Sequence, residues 1–292
     1  MAREVKNVGA SVRARLLNLA KAQGLDFQLI AIRYVLERLL YRLSLSPHRD
    51  RFVLKGAMLY PIWLDDVLRP TRDLDLLGYG EADLAAMEAV IREICTVAAP
   101  DDGVVFDADR VRAERIREDA EYGGIRVQTE ATLAGARLPV RVDVGFGDVV
   151  TPQTEQVDYP VLLDAPTPRV RSYPRETVVA EKFQAIVALG AANSRMKDFY
   201  DLWVLSRTFE FDERELARAV RATFARRRTT IPDEVPVGLS DPIITSTERQ
   251  AQWRGFLQRE PLAAAPGDFD DVASAVRDFL MPVARMGRDE RA

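Results

Sequence analysis

The feature that most constrains this chain is an aspartate pair, Asp73 and Asp75, separated by one leucine in an apolar segment. Leu74, Leu76 and Leu77 indicate a short buried strand, on which residues two apart point to the same face, about 7 Å apart. Two carboxylates this close repel each other unless a positive charge lies between them. The chain therefore has to fold so that this face of the strand meets a cation.

A divalent metal ion suits such a pair. Mg²⁺ takes oxygen ligands and is usually held by one or two carboxylates together with substrate phosphates. We therefore predict that Asp73 and Asp75 bind Mg²⁺, with Mn²⁺ as an alternative. Asp143, on the alternating segment Arg141-Val142-Asp143-Val144, is a third acidic candidate, although an aspartate there is by itself more typical of a polar strand end.

The residue inventory excludes several other kinds of site. The chain has one cysteine, Cys95, and one histidine, His48, in 292 residues. A zinc site built from histidine and cysteine clusters is excluded, and so is an internal disulfide, which suits a reducing cytoplasm. A Ser/His/Asp triad would depend on His48 alone, which lies in a turn-like segment. Carboxylates, lysines, arginines and hydroxyls must supply the chemistry.

The positive charge is concentrated at the N-terminal end. The formal net charge is −4, yet residues 1–72 carry 13 Lys/Arg and 6 Asp/Glu. This asymmetry indicates either a surface for an anionic partner such as RNA or ordinary amphipathic helices with arginine-rich solvated faces. No apolar run is long enough to span a membrane, and the first residues lack the apolar core of a secretory signal, so we expect a cytoplasmic protein without a membrane partner.

The order of elements predicts an α+β fold with two lobes. Helices are predicted at residues 8–23, 26–44, 57–64 and 81–96, short strands at 52–54 and 74–77, and a β meander at 104–145. Proline-rich connections follow, and then helices at 175–190, 197–208, 212–228, 245–258 and 268–284. We predict lobes at residues 1–165 and 166–292 with a cleft between them, and a monomer by default.

Two helical segments of the second lobe carry further candidates. Lys182 neighbours the apolar face of its helix, where it suits a phosphate, although an exposed Glu-Lys pair is the alternative. Asp198 and Asp201 share a helix face and could position Lys182, bind a nucleotide or orient metal-bound waters, or form an exposed ion-pair ladder. Arg195 and Lys197 lie near the start of that helix, where anions bind.

Taken together, these segments are familiar in order and type. A glycine turn, a helix and Asp-x-Asp on a strand resemble the polymerase-β-like nucleotidyltransferase core. The four blocks resemble the AbiEii/AbiGii nucleotidyltransferase toxin family, which includes the MenT toxins, over about residues 50–205. The blocks are Lys55–Leu59, Arg69–Asp75, Ala180–Ile186 and Arg195–Leu202.

The resemblance implies a toxin of a type IV-like toxin–antitoxin system, with a cognate antitoxin as partner. It implies transfer of a nucleotide, a pyrimidine in the MenT-like branch, from an NTP to the 3′ end of tRNA, which blocks aminoacylation and translation. By analogy with the wider fold, Asp143 would complete the metal ligands of Asp73 and Asp75 or act as base. Lys182 matches the lysine block, and Asp198 or Asp201 supplies a further essential acid.

The same resemblance implies a nucleotide site. The fold often has Gly-Ser after its first strand, whereas this chain has Gly56-Ala57, so residue 57 offers no hydroxyl to the phosphates. The groups that remain for nucleotide binding are these: Lys55, Gly56, Thr71, Arg72, Lys182, Arg195 and Lys197.

Two other classes of function stay open. The same metal site would serve a nucleotidyltransferase or phosphotransferase that acts on a protein hydroxyl or a small molecule. A non-catalytic antitoxin-binding or RNA-binding module would use these carboxylates structurally, and it would show no Mg²⁺-dependent shift in melting temperature with NTP.

Overall fold

The computed structural model describes residues 7–64, 70–116, 123–259, 262 and 265–289, so Arg69 of the second block lies outside the described residues. The chain forms two compact units. We call residues 1–147 with 155–172 the sheet unit, and residues 148–154 with 173–292 the helical unit. Domains at 1–165 and 166–292 stay a prediction.

The described part of the sheet unit contains four helices and eight strands. The helices are α1 (Val8–Gln23), α2 (Phe27–Leu45), α3 (Tyr60–Trp63) and α4 (Leu84–Thr96). The strands are β1 (Phe52–Lys55), β2 (Leu74–Gly78), β3 (Val104–Phe106), β4 (Arg112–Ile116), β5 (Gly124–Leu133), β6 (Ala136–Phe146), β7 (Glu155–Asp158) and β8 (Arg169–Ser172).

All eight strands belong to one mixed sheet. Their order is β3-β5-β6-β2-β1-β8-β7, and β4 pairs with β5 beside β3. β2 lies parallel to β6 and β1 parallel to β8, whereas the other pairs are antiparallel. The mixed sheet with a helical C-terminal part confirms the predicted fold class.

The two faces of the sheet differ sharply in character. Leu54, Leu76, Val144 and Ile125 are register partners on neighbouring strands and form one fully buried row. α2 contacts β6 and β8, while α4 contacts β4 and β5, so these helices cover the apolar face. The residues between these apolar positions point to the opposite face, which carries Asp75 and other polar side chains.

Local capping explains why the first two helices begin and end where they do. The Asp26 carboxylate accepts hydrogen bonds from the backbone N–H groups of Gln28 (2.8 Å) and Leu29 (3.2 Å), so Asp26 is the N-cap of α2. Gly24 ends α1 with a left-handed backbone, φ 65°.

The described part of the helical unit contains six helices: α5 (Arg175–Leu189), α6 (Met196–Thr208), α7 (Glu213–Arg226), α8 (Asp241–Ile244), α9 (Thr247–Arg259) and α10 (Phe269–Asp289). Aromatic side chains dominate its core. Tyr200 is buried and contacts the rings of Trp203, Trp253 and Phe256. Tyr200 thus packs in the interior, and the half-buried Trp203 stacks against its ring.

The segment 148–154 belongs to the helical unit although it follows β6 directly. The Thr177 hydroxyl of α5 donates to the Thr151 carbonyl (2.8 Å) and accepts from the Thr151 N–H (3.0 Å). Arg227 pairs with Asp148 at 3.1 Å. Both contacts attach the segment to the helices.

Four elements differ from the sequence-based prediction. The proline-rich stretch after residue 150 contains β7 and β8, because its prolines flank these short strands and interrupt neither. α8 was not predicted, since four residues are too few to show a helical period. α10 continues past residue 284 with Pro282 inside it. Within the described residues, no helix has the length and apolar character needed to cross a membrane.

Candidate functional site

Four neighbouring strands of the sheet unit bring charged residues into one line. Lys55 of β1 is the register partner of Asp75 of β2. Asp75 is also the partner of Asp143 of β6, and Asp143 is the partner of Arg126 of β5. Register partners point to the same face, and adjacent strands lie about 5 Å apart. We call these four residues the charged row. The predicted proximity of Asp75 and Asp143 is thus present in the sheet.

The turn after β1 is shaped around Asp75. Gly56 has φ +71°, a conformation that favours glycine. A Cβ placed on Gly56 would lie 2.6 Å from Asp75 Cγ and closer still to Oδ2, so an alanine would collide with the carboxylate. The Lys55-Gly56 turn therefore lies directly against the Asp75 carboxylate, in agreement with the expected glycine turn beside Asp73 and Asp75.

Two arginines that sequence analysis did not single out hold two of the aspartates. Arg126 Nε and Nη2 donate to the two oxygens of Asp143 at 2.8 and 2.7 Å, a bidentate pair. Arg141 Nη1 donates to Asp73 Oδ1 at 3.2 Å. The hydrogen bonds to Asp143 raise the pKa of Arg126, helped by the charges of Asp73 and Asp143 against the opposing effect of burial.

The segment before β2 sets the backbone of Asp73. The Thr71 hydroxyl donates to the Asp73 carbonyl (3.0 Å) and accepts from the Asp73 N–H (3.3 Å). Its hydroxyl is thus engaged locally, while Arg72 is exposed. Nucleotide contacts by Thr71, Arg72, Lys55 and Gly56 stay predictions.

The carboxylate oxygens on this face are the type of ligand that Mg²⁺ prefers. The ion usually keeps several waters and takes one or two protein carboxylates with substrate phosphates, which a pair such as Asp75 and Asp143 can supply. Within the described ranges, no three His, Cys, Asp or Glu side chains already converge as a metal cluster. Metal binding by Asp73, Asp75 and Asp143 stays a prediction.

The helical unit contains a second charged group, which we call the lysine cluster: Lys182, Asp198 and Asp201. Lys182 Nζ lies 2.8 Å from Asp198 Oδ1 and 2.8 Å from Asp201 Oδ2. Lys182 is 14% exposed and both aspartate side chains are fully buried. Their one-turn spacing on α6 lets both carboxylates face α5. The alternatives of an exposed ladder and an exposed Glu-Lys pair are thus wrong.

The charge state of the cluster follows from its contacts. Burial alone would raise the pKa of Asp198, but Lys182 and Arg195, whose Nε lies 2.6 Å from Asp198 Oδ2, together lower that pKa below its usual value. Asp198 is therefore a carboxylate at neutral pH. Lys197 is exposed on the same turn.

Buried polar contacts fix the start of α6. The Asn193 side chain accepts from the Arg195 N–H at 2.9 Å. Arg249 of α9, buried itself, donates to the carbonyls of Ala191 and Asn193. Sequence analysis missed Arg249, because nothing local links it to residues 56 or more positions earlier.

Glu181 belongs to a different network from its neighbour Lys182. Arg227 Nη2 lies 3.4 Å from Glu181 and 3.1 Å from Asp148, and Arg227 Nη1 donates to Gln184 at 3.0 Å. Burial alone would lower the pKa of Arg227, but the charges of Glu181 and Asp148 raise it. This network attaches residue 148 to α5 and α7.

Comparison with known proteins gives the family. The sequence matches the family described as nucleotidyl transferase AbiEii toxin, type IV TA system, over residues 38–275. No curated protein matches the chain in sequence. The charged row, the lysine cluster and the catalytic residues predicted for them lie within the matched range.

Two solved structures share the fold. A protein of H. pylori described as a candidate nucleotidyltransferase is 13% identical, with a TM-score of 0.55, over 92% of this chain and 100% of that one. JHP933 from Helicobacter pylori is 13% identical, with a TM-score of 0.53, over 91% of this chain and 95% of that one. At such identity the likeness shows the fold alone. The family match covers most of the sequence and confirms the resemblance, so the chain belongs to the AbiEii nucleotidyltransferase toxin family of type IV toxin–antitoxin systems.

Proposed function

We propose that this chain transfers a nucleotide from an NTP, a pyrimidine one by preference, to the 3′ end of tRNA with release of pyrophosphate. Loss of a free acceptor end would block aminoacylation and hence translation, and a cognate antitoxin would restrain the toxin in the cytoplasm. The family supports the nucleotidyltransferase toxin. The observation that carries the proposal is the register of Asp75 with Asp143 on adjacent strands.

The carboxylates of the sheet face would hold the metal ion. Asp73, Asp75 and Asp143 offer oxygen ligands on one face, and Gly56 leaves room for the Asp75 carboxylate. Bound Mg²⁺ would neutralise phosphate charge and polarise the phosphoryl group. The role of the chain is then mainly positioning and electrostatic stabilisation.

Asp143 has a constraint on its role as base. Both of its oxygens accept a hydrogen bond from Arg126, which leaves one lone pair on each oxygen for the proton of the 3′ hydroxyl or for a metal ion. Asp143 therefore acts together with Arg126 in either role.

Lys182 would supply a fixed positive charge for the phosphates. An ammonium has three N–H donors, and two carboxylates hold this one in place. Asp198 and Asp201 would then act by positioning Lys182, with Arg195 and Lys197 as additional phosphate contacts at the start of α6. The family's essential acid in this block is in this proposal a positioning residue.

The test is incubation with total tRNA, Mg²⁺ and each α-³²P-labelled NTP in turn. Wild type should label tRNA from CTP or UTP, and Asp75→Asn, which keeps the side-chain volume, should lose about 100-fold or more of this activity because charge at the metal ligands carries the catalysis. Asp109→Asn, exposed in the same unit, is the matched control and should retain full activity.

Each other outcome contradicts a defined part of the proposal. Label in a protein band or a small product would refute the tRNA acceptor, and label from purine NTPs alone would refute the pyrimidine preference. Full activity in a folded Asp75→Asn variant would refute the site. No label with any NTP would refute catalysis and favour a binding module.

A further inference from the structure

Basic side chains accompany the three aspartates of the proposed site. Asp73, Asp75 and Asp143 are matched in number by Lys55, Arg126 and Arg141, and the same face carries further charges such as Glu114, the register partner of Arg126 on β4. A divalent cation held by the carboxylates would become the largest local charge and would compete with the two arginines for them. Whatever enters with the cation must then satisfy the two guanidinium groups.

We propose that Arg126 and Arg141 are exchangeable counter-ions: they hold Asp143 and Asp73 in the metal-free chain and move to the phosphates of the nucleotide when these carboxylates take the cation. The inference rests on the proposed function, because it assigns the nucleotide phosphates as the partners of Arg126 and Arg141 at the same site. It adds to that function a coupling between cation binding and nucleotide binding.

Geometry and exposure make the exchange feasible. The side chains of Arg126 and Arg141 are 30% and 44% exposed, and those of Asp143 and Asp73 are 19% and 34% exposed. The Arg141–Asp73 pair, one 3.2 Å hydrogen bond in a partly exposed position, contributes little net stability, so a divalent cation can displace it. The bidentate Arg126–Asp143 pair is stronger, and phosphate offers its guanidinium an equivalent partner. A planar guanidinium that fits a carboxylate with two parallel hydrogen bonds fits a phosphate equally well.

The competing explanation is that the two arginines are structural and keep the carboxylates in place for the metal. The two explanations predict opposite signs for cation binding in the absence of nucleotide. If the arginines compete with the cation, their removal strengthens cation binding. If they position the carboxylates, their removal weakens it.

The experiment measures binding, not turnover. Mn²⁺ binding is followed by electron paramagnetic resonance, first alone and then with an α,β-methylene CTP analogue that cannot transfer its nucleotide. The variants are Arg126→Gln and Arg141→Gln. The control is Arg137→Gln, an exposed arginine on the same face of β6, four residues before Arg141.

We expect Mn²⁺ alone to bind about two- to five-fold more tightly to either variant, since a partly exposed ion pair no longer competes. With Mn²⁺ present, the analogue should bind about tenfold or more weakly, since a charge-assisted hydrogen bond to phosphate is lost. Arg137→Gln should change neither affinity. Because Arg141 is the more exposed residue, its variant keeps the test available if Arg126→Gln does not fold.

Weaker Mn²⁺ binding in both variants would overturn the proposal in favour of a structural role, and unchanged analogue binding would overturn the move to phosphate. These failures would leave the proposed function intact, since wild type would still bind both ligands. Failure of wild type itself to bind Mn²⁺ or the analogue would refute the proposed function, and this inference with it.

Discussion

Lys182→Met removes the cation that lies between two fully buried carboxylates. In the wild type, Lys182 Nζ lies 2.8 Å from both Asp198 and Asp201. Methionine has a similar length and no charge, so it leaves the packing nearly unchanged. The remaining counter-charge is Arg195, which contacts Asp198 and is half exposed.

The expected loss of stability is large. Removing one partner of a buried ion pair typically costs about 3–5 kcal/mol. Because Arg195 still faces Asp198, we expect the lower end, about 3 kcal/mol at pH 7. A domain of ordinary stability, about 5–15 kcal/mol in total, would lose a substantial part of it.

The loss should depend on pH with a definite sign. In the wild type the pKa of Asp198 is lowered, so its stabilising contribution is present above the usual aspartate pKa and is lost as pH falls through the lowered value. In Lys182→Met the strongest charge that opposes burial is gone, so the pKa of Asp198 should rise. The variant can then take up a proton as pH falls, and the destabilisation should be smaller at pH 5 than at pH 7.

Urea unfolding followed by tryptophan fluorescence measures this effect. Trp253 is fully buried in the helical unit, and a Trp63→Phe background removes the tryptophan signal of the sheet unit. Lys197→Met, at an exposed position of α6, is the control and should change stability by less than about 0.5 kcal/mol. A Lys182→Met effect that is equally small, or that stays constant from pH 7 to pH 5, would refute the reasoning.

Three further predictions concern the sheet unit. Gly56→Ala should lower thermal stability by more than about 1 kcal/mol and weaken Mn²⁺ binding, because it strains the backbone and displaces Asp75; unchanged Mn²⁺ binding would contradict this. Burial raises the pKa of Glu37 to about 7, so the folded protein binds a proton at Glu37 that the unfolded chain releases at lower pH. The stability that this protonation contributes is lost as pH rises through about 7. Between pH 4.5 and pH 8, the free energy of unfolding of the wild type should therefore fall by about 3 kcal/mol relative to that of Glu37→Gln, as measured by urea unfolding. A difference between the two proteins that stays constant with pH would refute this prediction. Arg42→Met should cost about 3 kcal/mol or more in thermal unfolding, since it leaves Asp102 buried without its bidentate partner; a loss under about 1 kcal/mol would refute it.

The strand positions of the acidic residues could be predicted because they depend on local periodicity. Asp73 and Asp75 alternate with leucines, and Asp143 alternates with valines, so their common polar face follows from the sequence. That Asp75 lies opposite Asp143 depends on a parallel pairing of β2 with β6, across about 68 residues. Local pattern cannot set such a register, and the resemblance to a known fold supplied only the expectation that Asp143 joins the aspartate pair.

The ionic partners could not be predicted from local pattern. Arg126 and Arg141 occupy polar positions of strands that were predicted, yet nothing along the chain pairs Arg126 with Asp143 or Arg141 with Asp73. For Asp198 and Asp201, helical spacing fits both a buried and an exposed pair. Burial is decided by Lys182 on another helix, since only a matched charge makes it tolerable.

The lysine cluster and the strand carboxylates differ in burial, and burial determines whether their ion pairs can exchange partners. Asp198 and Asp201 are fully buried against one lysine, and separating desolvated charges costs several kcal/mol, so that cluster keeps its partners. Asp73 and Asp143 are partly exposed. The Asp73–Arg141 pair contributes about 0–1 kcal/mol and exchanges readily, whereas the bidentate Asp143–Arg126 pair is stronger but remains open to solvent. A transferase that admits a cation with each nucleotide and then releases pyrophosphate needs exchangeable ligands for the cation and a constant charge for the phosphates. The distribution of burial therefore favours exchange at the strand carboxylates and a fixed charge at Lys182, and the Mn²⁺ and urea experiments test the two halves of this assignment separately.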